Sequence, residues 1–98
     1  MTRLVLASRL ADDFERIAAH LLLHDAKDVQ ARLAEIVQAL RVLELHPLMG
    51  RKLRAGRREL VIGRGGRGYV ALYAYDPLDD VVAVAALRAQ REAGFGEI

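Results

Sequence analysis

The chain has 98 residues, 53 % of them apolar, with 15 Lys and Arg against 13 Asp and Glu and no cysteine. That length supports one domain, residues 1–98, and the apolar share fills one core without a disulfide or a metal. The absence of cysteine excludes thiol catalysis, thiolate metal sites and disulfide staples, and agrees with a reducing cytoplasm.

Leu4-Val5-Leu6 reads as a short first strand. The N-terminal apolar run is too short for a signal peptide, and no stretch reaches the length of a membrane span, so no membrane partner is expected. Ser8 is a plausible helix N-cap, with Asp12 and Asp13 in the first turns, where the helix dipole favours acids. Phe14, Ile17, Ala18 and Leu21 recur at helical spacing and mark one buried face. His24-Asp25 ends that helix. A second helix runs from about Asp28 to Leu45, with Leu33, Ile36, Val37, Leu40 and Leu43 as its apolar stripe. Two helices with so short a link should pack as an antiparallel hairpin.

His46-Pro47-Leu48-Met49-Gly50 stops the second helix, because proline disfavours helical geometry in the residue before it and glycine frees the turn. A basic segment follows, from Arg51 to Arg58. Three strands come next, at Leu60–Ile62, Tyr69–Tyr75 and Val81–Leu87. Gly63–Gly68 links the first two, and the turn formers of Asp76–Asp80 link the second two. The order is β-α-α-β-β-β. It implies an α+β fold with an antiparallel sheet packed against a helical hairpin, the first strand adding to the same sheet.

Residues 63–68 match G-x-G-x-x-G literally. A dinucleotide fingerprint needs a helix N-terminus after the loop to meet the pyrophosphate, and here a strand follows. No nucleotide or other small-molecule cofactor is therefore expected. His20 and His24 share an i, i+4 spacing, but Leu21-Leu22-Leu23 stands between them where a metalloprotease carries a glutamate, and no third ligand is near. No metal is expected. Tyr69, Tyr73 and Tyr75 alternate on one strand and so face one side of the sheet.

The arginines remain. Of the 15 basic residues only Lys27 and Lys52 are lysine. Arginine is suited to bidentate contact with phosphate or carboxylate. Seven basic residues lie between Arg51 and Arg67, against Glu59 alone, and Arg88 and Arg91 follow the last strand. In a meander the loop before the first strand and the end of the third are expected at one end of the sheet. Arg57, Arg58, Arg64, Arg67, Arg88 and Arg91 are then the candidate target-binding set, suited to a phosphate-rich or acidic partner. Leu22, Leu23 and Val42 lie off the core stripe, as apolar flanks that it need not use.

The element order, with His46-Pro47-x-x-Gly50, Arg58-Glu59-Leu60, Gly68-Tyr69 followed by Tyr73, and Leu87-Arg88-Ala89-Gln90-Arg91-Glu92, resembles the RelE/ParE superfamily of bacterial toxins over nearly the whole chain. The resemblance implies the toxin of a type II toxin–antitoxin, plasmid-stabilising module, neutralised in the cytoplasm by a cognate antitoxin, for which Leu22, Leu23 and Val42 are the candidate contacts. RelE-like members cut messenger RNA in the ribosome; ParE-like members act on DNA gyrase. Val70 stands where an RNA-cleaving member carries arginine, and Phe95 is the only aromatic after Arg91. A phenyl ring is neither acid nor base. The resemblance thus leans to a gyrase inhibitor rather than an enzyme. The alternative is a ribosome-dependent endoribonuclease using Arg64, Arg67 and Arg91.

Overall fold

Strand β1 (Arg3–Leu6), helices α1 (Leu10–Leu23) and α2 (Val29–Arg41), a 3-10 turn (Val42–Glu44) and strands β2 (Arg51–Lys52), β3 (Arg57–Ile62), β4 (Tyr69–Asp76) and β5 (Val81–Ala89) follow one another along the chain. The computed structural model describes residues 1–23, 27–63 and 68–90.

The sheet order is β1-β5-β4-β3-β2. Strands β3, β4 and β5 form the expected antiparallel meander. β1 joins β5 in parallel, so the sheet is mixed rather than antiparallel throughout. No hairpin ties β1 to its neighbour, so hairpin geometry does not dictate its direction. A second departure concerns the basic segment. Arg51 and Lys52 pair with Glu59 and Arg58, and β3 begins at Arg57 instead of Leu60. The turn between them places Ala55 at φ 59° and Gly56 at φ 72°, and the Arg57 N–H donates to the Arg54 carbonyl at 3.2 Å. Positive φ at both central residues of the Arg54–Arg57 turn is the pattern of a type I′ turn, whose twist suits a hairpin.

The second helix is shorter than expected. It ends at Arg41 and tightens into the 3-10 turn, while Leu43 keeps its predicted place inside. Asp28 caps its start in the left-handed region, accepting from the Ala31 N–H at 3.3 Å. Short polar side chains tolerate that conformation better than others. The helix stripes meet one face of the sheet. Leu10, Ile17, Leu21, Ile36, Leu40 and Leu43 share a core with Leu60, Ile62, Ala71, Tyr73, Val82, Val84 and Leu87. Tyr69 and Tyr75 pack against the same core. The three tyrosines therefore share the helix side, as their alternation requires.

Leu72 faces Ala86 and Tyr73 faces Val84, which leaves Ala85 as an extra residue in β5. The bulge returns Leu87 to the helix side. β1 pairs β5 only as far as Val84, so the outer edge of Leu87 has no strand beside it. Helix α1 takes that place. Asp13 Oδ2 accepts from the Leu87 N–H at 2.9 Å, and Arg16 Nη2 donates to the Leu87 carbonyl at 3.0 Å. Arg16 Nη1 also donates to Asp13 Oδ1 at 2.9 Å. One carboxylate and one guanidinium thus supply the donor and acceptor that a neighbouring strand would have offered. Asp13 is buried, a role its place near the helix dipole did not foretell.

Candidate functional site

The face of the sheet away from the helices carries Arg51 from β2, Arg57, Glu59 and Val61 from β3, Val70, Leu72 and Ala74 from β4, and Ala86 and Arg88 from β5, by register with their partners. Leu72 and Ala86 are buried at its centre. Arg51 bonds Glu59 across β2 and β3. Arg57 sits opposite Ala74 and Arg88 opposite Val70. Those positions lie four residues apart on β4, about 13 Å along the strand. The expectation that the basic segment and the end of β5 share one end of the sheet is therefore corrected. β3 and β5 both run antiparallel to β4, so the start of β3 lies with the start of β5. Arg88 instead shares its end with the glycine loop. Arg64, Arg67 and Arg91 lie outside the described residues.

Arg58 takes a different side. It pairs with Tyr73, so it faces the helix side at the sheet margin. Its Nη1 donates to the carbonyls of Gly50, at 2.9 Å, and Leu48, at 3.2 Å. Tyr73 holds the same turn from below. Its hydroxyl donates to the Pro47 carbonyl at 2.9 Å and accepts from the Gly50 N–H at 2.8 Å. A Cβ on Gly50 would stand 2.6 Å from Tyr73 Cε1 and 2.7 Å from the Glu59 carbonyl oxygen, so glycine is needed for close approach. His46-Pro47-x-x-Gly50, Arg58 and Tyr73 are thus parts of one latch. Nothing in their spacing announces it, since the partners lie 8 to 26 residues apart in the chain.

The latched turn displays apolar side chains outward. Leu45 is 66 % exposed, and Leu48 and Met49 are each 58 % exposed. Residues 45–49 line a shallow concavity of about 520 Å³. Leu22 and Leu23 are also exposed, at the far end of α1, and Val42 is exposed just beyond the end of α2. The 13 residues of α2 span about 20 Å, so these three side chains form two patches rather than one.

Other candidate centres resolve simply. His20 and His46 are exposed, and His24 lies outside the described residues. Among the described residues no three metal-ligating side chains come together. Gly68 leads directly into β4, so no helix follows the glycine loop. No described helix is long and apolar enough to cross a membrane. A polar node ties the β4–β5 turn to the N-terminus: the Thr2 hydroxyl at 2.6 Å and the Tyr75 hydroxyl at 2.8 Å both donate to Asp80 Oδ1. These bonds, Thr2 foremost, hold the Asp80 carboxyl below the ordinary aspartate range. The bond to Asp80 raises the Tyr75 phenol.

Solved structures of toxin–antitoxin complexes share this fold. The chromosomal ParDE toxin–antitoxin system of P. aeruginosa matches with a TM-score of 0.73 at 18 % identity, over 91 % of this chain and 96 % of that one. The RelBE2 toxin–antitoxin complex of Mycobacterium tuberculosis matches with a TM-score of 0.58 at 22 % identity, over 91 % and 98 %. The intact E. coli RelBE toxin–antitoxin complex matches with a TM-score of 0.61 at 16 % identity, over 94 % and 100 %. No curated protein matches the sequence. The family model for the ParE toxin of type II toxin–antitoxin systems matches residues 4–94. With that match over almost its whole length, the chain belongs to the ParE toxin family of type II toxin–antitoxin systems.

Proposed function

We propose that this toxin arrests growth by binding DNA gyrase in the cytoplasm, and that it acts as an inhibitor rather than a catalyst. The family match over residues 4–94 carries the reading. The chemistry of the sheet face away from the helices supports it. All three tyrosines face the helices, so none stands beside Arg57 and Arg88 to serve as general acid or base. Glu59, the carboxylate between β2 and Leu72, is engaged by Arg51. Purified toxin is expected to block supercoiling by gyrase. Normal supercoiling at saturating toxin, together with arrested translation, would refute the proposal.

The basic hairpin, with Arg64, Arg67 and Arg91, motivates the second reading, a ribosome-dependent endoribonuclease. It requires cuts in messages under translation, and intact messages after induction would exclude it. In either case a cognate antitoxin is the expected silencing partner, since the similar structures are toxin–antitoxin complexes. A segment lying along the helix pair for about 20 Å could reach both Leu22–Leu23 and Val42. Such a segment would be disordered alone and would fold on binding. Serine at Leu22 and Leu23 is expected to weaken the purified complex.

A further inference from the structure

The latched turn has two properties that seldom coincide on a loop. It is apolar and exposed at Leu45, Leu48 and Met49, and it is held from both sides. Besides the bonds from Tyr73 and Arg58, the Leu45 and His46 N–H groups donate to the Val42 carbonyl, and the Met49 N–H donates to the His46 carbonyl. Little conformational entropy remains to be lost there on association. The surroundings add charge. Lys52 shares the helix-side face with Arg58, and Arg54 follows at the β2–β3 turn. Arg41 pairs with Glu44, and Arg51 with Glu59, so those charges are offset locally. No described carboxylate pairs with Lys52, Arg54 or Arg58.

The geometry points to this turn as the contact that seats the toxin on its protein target. Its partner is a folded, acidic protein surface that projects an apolar side chain into the concavity of residues 45–49 and sets carboxylates against Lys52 and Arg54. This inference rests on the gyrase reading above. Charge complementarity selects an acidic partner. The lining favours a protein over a nucleic acid, because four of its five residues, Leu45, Pro47, Leu48 and Met49, offer nothing to a phosphate and His46 is its one polar member. The fixed shape of the turn suits a preformed surface better than a segment that must wrap. Leu48 and Met49 are then the central contacts, and the basic hairpin is the rim.

The test is inhibition of purified gyrase by the unsubstituted chain, by Leu48→Ser/Met49→Ser and by Lys52→Glu/Arg54→Glu. All four positions are exposed, and thermal melts check that the variants stay folded. The double serine variant is expected to need roughly 10- to 30-fold more protein for half inhibition. The charge-reversed variant is expected to lose about 10-fold at low salt and much less at high salt, as a rim contact should. If the folded serine variant inhibits as well as the unsubstituted chain, the inference is overturned while the gyrase reading stands. If the unsubstituted chain itself leaves supercoiling untouched, the gyrase reading fails and the inference falls with it.

Discussion

Replacing Asp13 by alanine should be the most damaging single change at a charged position of this fold. The side chain is buried and accepts from the Leu87 N–H, a backbone donor that β1 does not reach. Loss of a buried hydrogen bond to a charged acceptor costs about 1.5–3 kcal/mol, because the donor is left without a partner. The Arg16 pair adds only about 0.5 kcal/mol, since that side chain is 42 % exposed and water screens it. Arg16 can keep its bond to the Leu87 carbonyl. The expected loss is therefore about 2–3.5 kcal/mol, from a domain whose total stability is of the order of 5–15 kcal/mol. At this chain length that lowers the melting temperature by roughly 10–20 °C. Asparagine retains one carbonyl oxygen for the Leu87 N–H but loses the charge and the acceptor for Arg16 Nη1, so Asp13→Asn should cost about 1 kcal/mol. Urea unfolding followed by circular dichroism measures both. A loss under about 1 kcal/mol for Asp13→Ala, or equal losses for the two variants, would refute the strand-substitute role of α1.

The latch yields a second prediction. Tyr73→Phe removes one hydroxyl that serves the Pro47 carbonyl and the Gly50 N–H, and should cost about 2 kcal/mol in the same assay. Gly50→Ala should cost at least as much, because its Cβ would overlap Tyr73 and the Glu59 backbone; a neutral result for either would mean the turn is not held this way. At the β2–β3 turn, Ala55 occupies a left-handed conformation unfavourable for alanine, so Ala55→Asn should raise stability by about 1 kcal/mol. No gain in denaturation midpoint would count against the type I′ turn. Stability should also fall at both pH extremes through Asp80 and Tyr75. The Asp80 carboxyl is held below its unfolded value, so its contribution is present above that value and is lost as pH falls through the lowered one. The Tyr75 phenol is raised, so its contribution is present below its unfolded value and is lost as pH rises through the raised one. Thr2→Val should flatten the acid limb and Tyr75→Phe the alkaline limb; unchanged midpoint-against-pH curves would contradict the node.

What periodicity encodes was readable along the chain. Both helices, the three meander strands and the shared side of the tyrosines follow from spacings of 3.6 and 2, since each depends on which residues one local element must bury. Asp13 stands between Leu10 and Ile17 on the buried stripe of α1, where a carboxylate needs an internal partner. The direction of β1, the hairpin strand at Arg51–Lys52 and the division of the arginines between two faces were not local properties. Arg57 and Arg58 are neighbours in sequence, yet one lies on the sheet face away from the helices and the other fastens the turn at Gly50. That difference depends on strand register and on a tyrosine 15 residues further along, opposite Arg58 on β4. Sequence alone placed a basic, apolar chain in a toxin family through the order of its motifs. Only tertiary packing decided that His46-Pro47-x-x-Gly50 is a rigid apolar turn, because its hydrogen-bond partners are brought to it by the sheet.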